Sequence, residues 1–355
     1  MSLRLTVFPC IAVASSACPA MALDCAKAST QVDKAICADP VAAAADGAMT
    51  KSYDALAARL AAPEKTALLT SQRRWLKFRA DLCSARDDAA ALTSCLADET
   101  RQRRAFLAGE PVSGPGAAQR FTPVFIQHVG APYQYDIDVN ALKFADPQLP
   151  GEKLFDANID SLLKKVPKID QSGFRQNMVY SYHLNISASF ASPEFISARI
   201  DLYDFSGGAH GMSSTSNFAI DLDAGKELQF SALFAADAQP KLVAACLADI
   251  KREKQERAPE APYVPVSANE QTKEIEKSVA DLTRWSFFAT KAQVTFDPYA
   301  LGSYAEGVYT CDFPAELMRP LLKLDYLAGG RAAGGALKLH LRPNSLSTSA
   351  SFNST

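Results

Sequence analysis

The hydrophobic period of this 355-residue chain changes once along its length, and that change limits the folds open to it. In the first third, apolar residues step by four, three and four through Met49, Tyr53, Leu56 and Leu60, which makes one face of a helix. From 178 to 190 every second residue is apolar, the pattern of a half-buried strand. The sequence therefore predicts a helical part followed by a part built on a sheet.

The stretch "GEPVSGPGAAQ", residues 109–119, is rich in Gly and Pro and predicts a linker between these parts. The order of strands and helices after it predicts an α+β fold, with a mainly antiparallel sheet packed by helices on one face. The residues after Ala328 are small and polar, so we expect a disordered tail. The predicted units are a signal peptide (1–22), a helical domain (23–108), a linker (109–120), an α+β domain (121–327) and the tail (328–355).

Composition excludes several classes of function. Apolar residues make up 48% and charged residues 21% of the chain, as in soluble globular proteins. The net charge is -2, and no basic cluster stands out, so we expect no nucleic-acid partner. After residue 22 no apolar stretch reaches the length of a membrane helix, so we expect no transmembrane segment in the mature chain.

The first 22 residues, "MSLRLTVFPCIAVASSACPAMA", have the features of a secretory signal. Arg4 precedes an apolar stretch, and the stretch ends in an A-x-A cleavage pattern at Ala22. We therefore expect a periplasmic or secreted protein that is cleaved after Ala22. A lipid anchor on Cys18 is disfavoured, because residues 15–17 lack the usual upstream leucine.

Two of the 8 cysteines fall in the predicted signal, which leaves an even number, 8 − 2 = 6, for an oxidising compartment. No C-x-x-C motif occurs, which disfavours a redox or zinc site. Cys83 and Cys95 flank a helix–helix turn, which favours that pair and Cys25–Cys37, although four cysteines allow three pairings. Cys246–Cys311 would join a helix to the last strand. The predicted disulfide residues are Cys25, Cys37, Cys83, Cys95, Cys246 and Cys311.

The helix that begins near Pro63 has two predicted faces. Its buried stripe is expected to comprise Leu68, Leu69, Trp75, Leu76 and Leu82. Its solvated side is expected to comprise Arg73, Arg74, Lys77 and Arg79.

The segment "YDFSGGAHGM", residues 203–212, places His210 among glycines. Glycines let a backbone turn sharply and bring its N–H groups close to a partner. Two interpretations stay open: His210 is a buried residue that bonds a carbonyl in a tight turn, or the loop presents it to a partner. Under the second, Ser206, Gly207, Gly208 and His210 are binding residues.

The segment "DPYALGSYAEG", residues 297–307, is a second loop between strands. Tyr299 and Tyr304 are either interface anchors, because tyrosine offers a rigid contact surface with a polar tip, or core rings that hold the loop on the sheet.

A first resemblance rests on "LDCAKASTQVDKAICADP", on Asp46 and Tyr53, and on "QRRWLKFRADLC" with a fourth cysteine. Residues 23–108 resemble the N-terminal domain of LprI-type lysozyme inhibitors. The resemblance implies a small, helical, disulfide-bonded and exported domain.

A second resemblance rests on "YDFSGGAHG…DLDAGKELQFSALF" and "VTFDPYALGSYAEGVYTCDFP". About residues 125–320 resemble the C-terminal domain of RsiV, the lysozyme-binding part of a membrane anti-sigma factor. The chain lacks that factor's membrane helix and sigma-binding part, and the deacetylase domain that sometimes accompanies this domain. The resemblance therefore implies only an envelope protein that recognises lysozyme or its substrate.

Together these features predict a non-catalytic protein that binds, and inhibits, lysozyme or a related muramidase. The alternative is a glycan-binding module with peptidoglycan as partner, and a third hypothesis is a hydrolase. Ser206 and His210 do not form a G-x-S-x-G elbow, and no H-E-x-x-H spacing occurs, so we expect no catalytic residue, metal or cofactor.

Overall fold

The structure is a computed structural model that describes residues 23–86, 88–115, 121–128, 135–168, 180–258 and 268–323. The helices are α1 (Gln31–Ala38), α2 (Pro40–Arg59), α3 (Ala62–Ser84), α4 (Ala89–Ala108), α5 (Pro150–Leu163), α6 (Phe230–Leu233), α7 (Ala238–Arg257), α8 (Ala268–Ala280) and α9 (Ala315–Met318). The strands are β1 (Phe121–His128), β2 (Tyr135–Phe144), β3 (Tyr180–Ala191), β4 (Phe195–Phe205), β5 (Met212–Asp221), β6 (Lys226–Glu227), β7 (Trp285–Phe287), β8 (Lys291–Phe296) and β9 (Tyr309–Pro314).

The strands form a 6-stranded sheet in the order β1-β2-β3-β4-β5-β6 and a 3-stranded sheet in the order β7-β8-β9. Neighbouring strands are antiparallel except β2 and β3, which run parallel and are joined through α5. A helical N-terminal part followed by an α+β part with a mainly antiparallel sheet confirms the predicted fold class.

Local sequence signals set the ends of the N-terminal helices. The Asp39 carboxylate caps α2 by accepting from the N–H of Ala42 at 2.8 Å, and Pro40 follows at the first helical position. Asp88 caps α4 in the same way. Gly109 ends α4 with a left-handed backbone at φ 67°, a conformation that glycine adopts without a steric penalty.

Helices pack on both faces of the large sheet, with α5 of the α+β part on one face and the N-terminal helices on the other. Phe155 of α5 packs against Phe218 of β5, with ring centroids 5.3 Å apart. Strand alternation puts Asn140 on the opposite face, where it accepts from Ser71 of α3. Strands β2 and β3 are parallel, so the chain between them must cross over one face of the sheet, and α5 lies in this connection. The N-terminal helices pack on the other face.

The N-terminal helices share a hydrophobic core with the large sheet. Met49 and Leu56 of α2 belong to the same buried cluster as Ile137 and Val139 of β2. The helical part therefore packs against the sheet directly, although the predicted domain limits stay a prediction.

The predicted faces of α3 are partly wrong. Leu69 and Leu76 are 41% and 40% exposed, whereas Arg79 is buried. The Arg79 guanidinium lies 3.2 Å from the Asp46 carboxylate of α2 and donates to Thr100 of α4 at 2.8 Å. Polar side chains fill much of the contact between α3 and its neighbours, and this turns the two leucines outward.

Trp75 lies at the edge of the core and is half-buried. The guanidinium groups of Arg79 and Arg103 lie 4.7 and 5.7 Å from the centre of its ring, a cation–π arrangement. Burial lowers the pKa of Arg103 to about 10, and its guanidinium donates to Gln72 and Ser71. Arg74, also expected on the solvated side, pairs with Asp136 of β2.

The structure contains the disulfides Cys25–Cys37 and Cys83–Cys95, which confirms the favoured pairing of the first four cysteines. It also contains Cys246–Cys311, which joins α7 to β9. The predicted signal peptide, much of the linker, and the tail lie outside the described residues. Within the described ranges, no helix is both long and apolar enough to cross a bilayer.

Candidate functional site

Two loops meet at one end of the molecule: residues 206–211 between β4 and β5, and residues 297–308 between β8 and β9. We call them the hairpin loop and the tyrosine loop. Gly207 and Gly208 give the hairpin loop its turn, with φ angles of 102° and 113°. A Cβ atom at Gly208 would face open space, so glycine is needed there for its backbone conformation and not for room.

Gly211 serves a different purpose in the same loop. A Cβ atom at this position would lie 2.5 Å from the ring atom Cζ of Tyr203 on β4. Glycine therefore lets the backbone pass against the tyrosine ring as β5 begins.

His210 stacks on Tyr304 of the tyrosine loop, with ring centroids 3.7 Å apart and planes inclined by 19°. Its Nδ1 lies 3.0 Å from the carbonyl oxygen of Gly211. The Tyr304 hydroxyl donates to the same carbonyl at 2.9 Å. The Tyr299 hydroxyl lies 3.4 Å from Nε2, on the other side of the ring. The structure thus brings together the predicted residues His210, Tyr299 and Tyr304, and we call them the aromatic cluster.

Each interpretation of His210 describes part of this geometry. The ring bonds a backbone carbonyl, as in the turn interpretation, yet the residue is exposed, as presentation to a partner requires. Tyr299 is 56% exposed and Tyr304 is half-buried, so one tyrosine faces solvent and the other supports the imidazole.

Tyr299 has an unfavourable backbone conformation. Its φ of 74° lies in the left-handed region, which costs a residue with a Cβ atom about 1–2 kcal/mol. Such strain is concentrated at functional sites, where the surrounding structure holds it. In the tyrosine loop, the strained residue is the one whose hydroxyl lies beside His210.

Asp297 anchors the start of the tyrosine loop. Its carboxylate accepts the backbone N–H of Thr215 on β5 and the Nη1 of Arg284, each at 2.7 Å. Arg284 also donates to the carbonyl of Thr215 at 3.2 Å. These side chains occupy the outer edge of β5 as a neighbouring strand would. The sequence analysis missed this anchor, since Thr215 is far in the chain from both Arg284 and Asp297.

Glu306 anchors the other end of the tyrosine loop. Its carboxylate accepts the backbone N–H of Ser303 at 2.7 Å and the hydroxyl of Tyr309 at 2.8 Å. The bond from Ser303 lowers the pKa of Glu306, and burial raises the pKa of Tyr309 to about 12. Arg257 of α7 donates to the carbonyl of Val308 at 2.6 Å. The loop is therefore held at both ends.

Ser206 is the predicted site residue whose bonds lead away from the cluster. Its hydroxyl donates to Asp204 at 2.8 Å.

The partners of His210 are a carbonyl and a phenol, whereas a hydrolase would need a nucleophile or a carboxylate bonded to the imidazole. Across the residues that the structure describes, no group of three or more His, Cys, Asp or Glu side chains is placed to hold a metal ion.

Comparison with known proteins gives one family match. Residues 24–107 match the family model described as lysozyme inhibitor LprI, and this range holds the disulfides Cys25–Cys37 and Cys83–Cys95. The matched family is one of inhibitors and not of enzymes. No curated protein matches the chain.

The solved structures that are similar to the chain include two DUF3298 family proteins. A DUF3298 family protein from Pseudomonas aeruginosa is 15% identical, with a TM-score of 0.41, over 60% of this chain and 98% of that one. A DUF3298 family member from Bacteroides fragilis is 13% identical, with a TM-score of 0.40, over 60% of this chain and 97% of that one. The resemblance of residues 125–320 to RsiV stays a prediction.

The disulfide bonds indicate the kind of compartment in which the protein is found. Disulfides persist in oxidising compartments and are rare in the cytosol. The disulfides and the match to a lysozyme-inhibitor family together indicate an extracytoplasmic protein.

Proposed function

We propose that this protein is exported to the cell envelope or secreted, where it binds lysozyme-type muramidases and blocks their active-site cleft. The observation that carries the proposal is the match of residues 24–107 to the lysozyme inhibitor LprI family. The disulfides support it, because a protein that meets lysozyme must fold outside the cytoplasm.

We assign the contact with the cleft to the hairpin loop and the aromatic cluster. Lysozyme-type glycosidases carry two carboxyl groups on either side of the scissile bond. The exposed imidazole of His210 and the hydroxyl of Tyr299 are hydrogen-bond donors of the kind that a carboxylate accepts. The glycines at 207 and 208 keep the tip of the loop narrow, as entry into a cleft requires.

The tyrosines fit the role of interface anchors. Tyrosine is enriched among the residues that dominate binding energy, and fewer rotamers are lost when such a ring is already held. Tyr304 is held by its stacking on His210 and by its bond to Gly211, and Tyr299 is held by the anchored loop. A partner would therefore meet a surface that is already ordered.

The test is binding of the purified protein, without residues 1–22, to hen-type, goose-type and invertebrate-type lysozymes by calorimetry. Enzyme inhibition is followed by the lysis of a peptidoglycan suspension. We expect one class to bind and its lysis to slow. His210→Ala should weaken that binding at least about tenfold, since truncation of a central interface residue costs more than about 1.4 kcal/mol.

His183→Ala is the matched control, because His183 is a part-exposed histidine that pairs with Asp136 and not with the cluster. Its binding should equal that of the wild type. Absence of binding to all three classes contradicts the proposed function, and capture on peptidoglycan sacculi in its place would favour the glycan-binding alternative. Binding that His210→Ala leaves unchanged contradicts the assignment of the contact to the hairpin loop.

A further inference from the structure

The hydrogen bonds of His210 determine where its proton lies. A carbonyl oxygen only accepts, so the 3.0 Å contact between Nδ1 and the carbonyl of Gly211 requires a hydrogen on Nδ1. In the neutral ring, Nε2 is then the bare nitrogen, and the Tyr299 hydroxyl at 3.4 Å donates to it. The second proton of the imidazolium therefore has one place to bind, which is Nε2.

Protonation at Nε2 keeps the other contacts of the ring. The Nδ1–H bond to Gly211 stays in place, while the Tyr299 hydroxyl rotates away from Nε2 and leaves Nε2–H free to donate to a carboxylate. The face of the imidazole lies on the ring of Tyr304, where a cation is favoured by the aromatic quadrupole. The cluster thus accommodates the charged ring with one change, the rotation of the Tyr299 hydroxyl.

The charged and titratable groups of the surrounding elements have partners of their own. They are Tyr203 and Asp204 on β4, Arg284 before β7, Asp297, Tyr299, Tyr304 and Glu306 in the tyrosine loop, and Lys254 and Arg257 on α7. Asp204 accepts from Ser206, Asp297 from Thr215 and Arg284, and Glu306 from Ser303 and Tyr309. Lys254 and Arg257 donate to the carbonyls of Leu301 and Val308. Among the described residues, none of these carboxylates is bonded to His210, so the carboxylate that pairs with the protonated ring comes from the partner.

We infer that the aromatic cluster is a proton-coupled site for a carboxylate, in which His210 takes up a proton at Nε2 when an acidic partner binds. The inference rests on the proposed function for its partner, the carboxyl groups of a lysozyme cleft, and it adds the charge state in which the partner is recognised. Imidazole changes its charge between about pH 5 and pH 8, so the coupling falls in the range where cells grow.

The sign of the pH dependence follows from linkage. A carboxylate beside the ring favours the charged form, typically by one to three pKa units for an opposite charge within hydrogen-bond reach. The additional affinity belongs to the charged ring paired with the carboxylate, so it is present at low pH and is lost as the pH rises. We expect binding about tenfold or more weaker at about pH 8 than at about pH 5.5.

The experiment measures proton uptake by calorimetry at about pH 7 in two buffers of different ionisation enthalpy, with the same three lysozymes. Nitrogen NMR of histidine-labelled protein follows both ring nitrogens of His210, free and bound. His210→Gln is the key variant, because its amide can donate where Nε2–H does but carries no charge. His183→Gln is the matched control.

The expected result has two parts. His210 shows a protonated Nδ1 and a bare Nε2 in the free protein at about pH 8, and both nitrogens are protonated in the complex. Proton uptake and pH-dependent affinity are present in the wild type and His183→Gln, and both are lost in His210→Gln. Wild type and His183→Gln present the same cluster to lysozyme, so their common difference from His210→Gln reports the charge of His210 and its pairing with the carboxylate.

The outcomes separate the two proposals. Binding with a neutral His210 in the complex, or with the same proton uptake in His210→Gln, overturns the proton coupling and leaves the proposed function standing. Absence of binding to every lysozyme overturns the proposed function, and the coupling with it. A free protein whose Nδ1 is bare overturns the coupling without any lysozyme present.

Discussion

Asp297 accepts a hydrogen bond from Arg284 at 2.7 Å, and this ion pair joins the tyrosine loop to the edge of β5. The same carboxylate accepts the N–H of Thr215, four residues beyond Gly211. The Asp297 carboxylate therefore helps to set the positions of the hairpin loop and the tyrosine loop relative to each other. The stacking of His210 on Tyr304 depends on that arrangement.

Asp297→Asn should loosen the cluster and destabilise the fold. The substitution keeps the volume but removes the charge that faces Arg284, and a hydrogen bond to a charged group contributes about 1.5–3 kcal/mol. We expect a loss of that size in urea unfolding, together with a weaker ring-current shift on the His210 protons. Asp312→Asn is the control, because its pair with Lys291 is exposed on both sides and should change the unfolding free energy by less than about 1 kcal/mol. Equal effects of the two substitutions would contradict the role of Asp297.

The buried pair of Arg79 and Asp46 should be sensitive to the loss of either partner. Both side chains are largely shielded, and the Nη1 of Arg79 also donates to Thr100. Asp46→Asn leaves the guanidinium buried without its counter-charge, and removing one partner of a buried pair costs about 3–5 kcal/mol. Chemical denaturation of the variant should show a loss in this range.

Lys77→Met provides the control for that prediction, since Lys77 pairs with Asp81 on the exposed surface of the same helix. A surface pair contributes less than about 1 kcal/mol. A second variant that replaces both Arg79 and Asp46 by apolar residues should lose less stability than Asp46→Asn does. A larger loss in the double variant would show that the pair adds net stability, contrary to this expectation.

The features that could be predicted from sequence are those that a few neighbouring residues determine. Asp39 followed by Pro40 starts a helix, Gly109 ends one, and residue alternation in β3 and β4 marks the strands. The turn between Cys83 and Cys95 favoured the pairing that the structure contains, although the sequence left three pairings open. Each of these signals depends on contacts that are close in the chain.

The features that were missed depend on which surface a segment packs against. Helical spacing placed Leu69 and Leu76 in the core, but α3 packs largely through polar side chains, so Arg79 is buried instead. The sequence singled out His210, Tyr299 and Tyr304 separately, and their stacking required two loops about ninety residues apart to meet. No sequence signal linked Arg284 and Asp297 to Thr215, which lies on the other sheet, 69 and 82 residues away in the chain.

Gly211→Ala should strain the base of the hairpin loop. The new Cβ atom would lie 2.5 Å from the Tyr203 ring, so the ring or the backbone must move. Overpacking of this kind typically costs about 1–3 kcal/mol, and we expect that loss in thermal and urea unfolding. Removing the ring should relieve the strain, so Gly211→Ala should cost less in a Tyr203→Ala background. Additive effects of the two substitutions would contradict a clash between them.

Glu306 should make stability fall at acid pH. The Ser303 N–H holds the pKa of Glu306 below its ordinary value of 4.5, so the folded state favours the carboxylate. Its contribution is fully present above the unfolded pKa of about 4.5 and is lost as the pH falls through the lower folded value. The difference in unfolding free energy between wild type and Glu306→Gln should therefore shrink as the pH is lowered below about 4.5. A difference that is constant across this range would contradict the assignment.

The Cys246–Cys311 disulfide should contribute more stability than Cys25–Cys37. It joins residues 65 apart, whereas Cys25 and Cys37 are 12 apart. In the chain-entropy model these loops correspond to about 4 and about 3 kcal/mol. Replacing each pair by alanine should therefore lower the unfolding free energy more for Cys246–Cys311, and urea unfolding measures both losses.

The longer disulfide also joins the helix and the strand that bear on the end of the tyrosine loop. It fixes α7 to β9, and Arg257 of α7 holds the end of the tyrosine loop through the carbonyl of Val308. The alanine variant of this pair should thus weaken lysozyme binding in conditions where the protein is still folded, because Tyr304 is no longer held firmly against His210. The matching variant of Cys25–Cys37 should leave the cluster and its contacts unchanged. Equal binding by both variants would show that the tyrosine loop keeps its position without the α7–β9 connection.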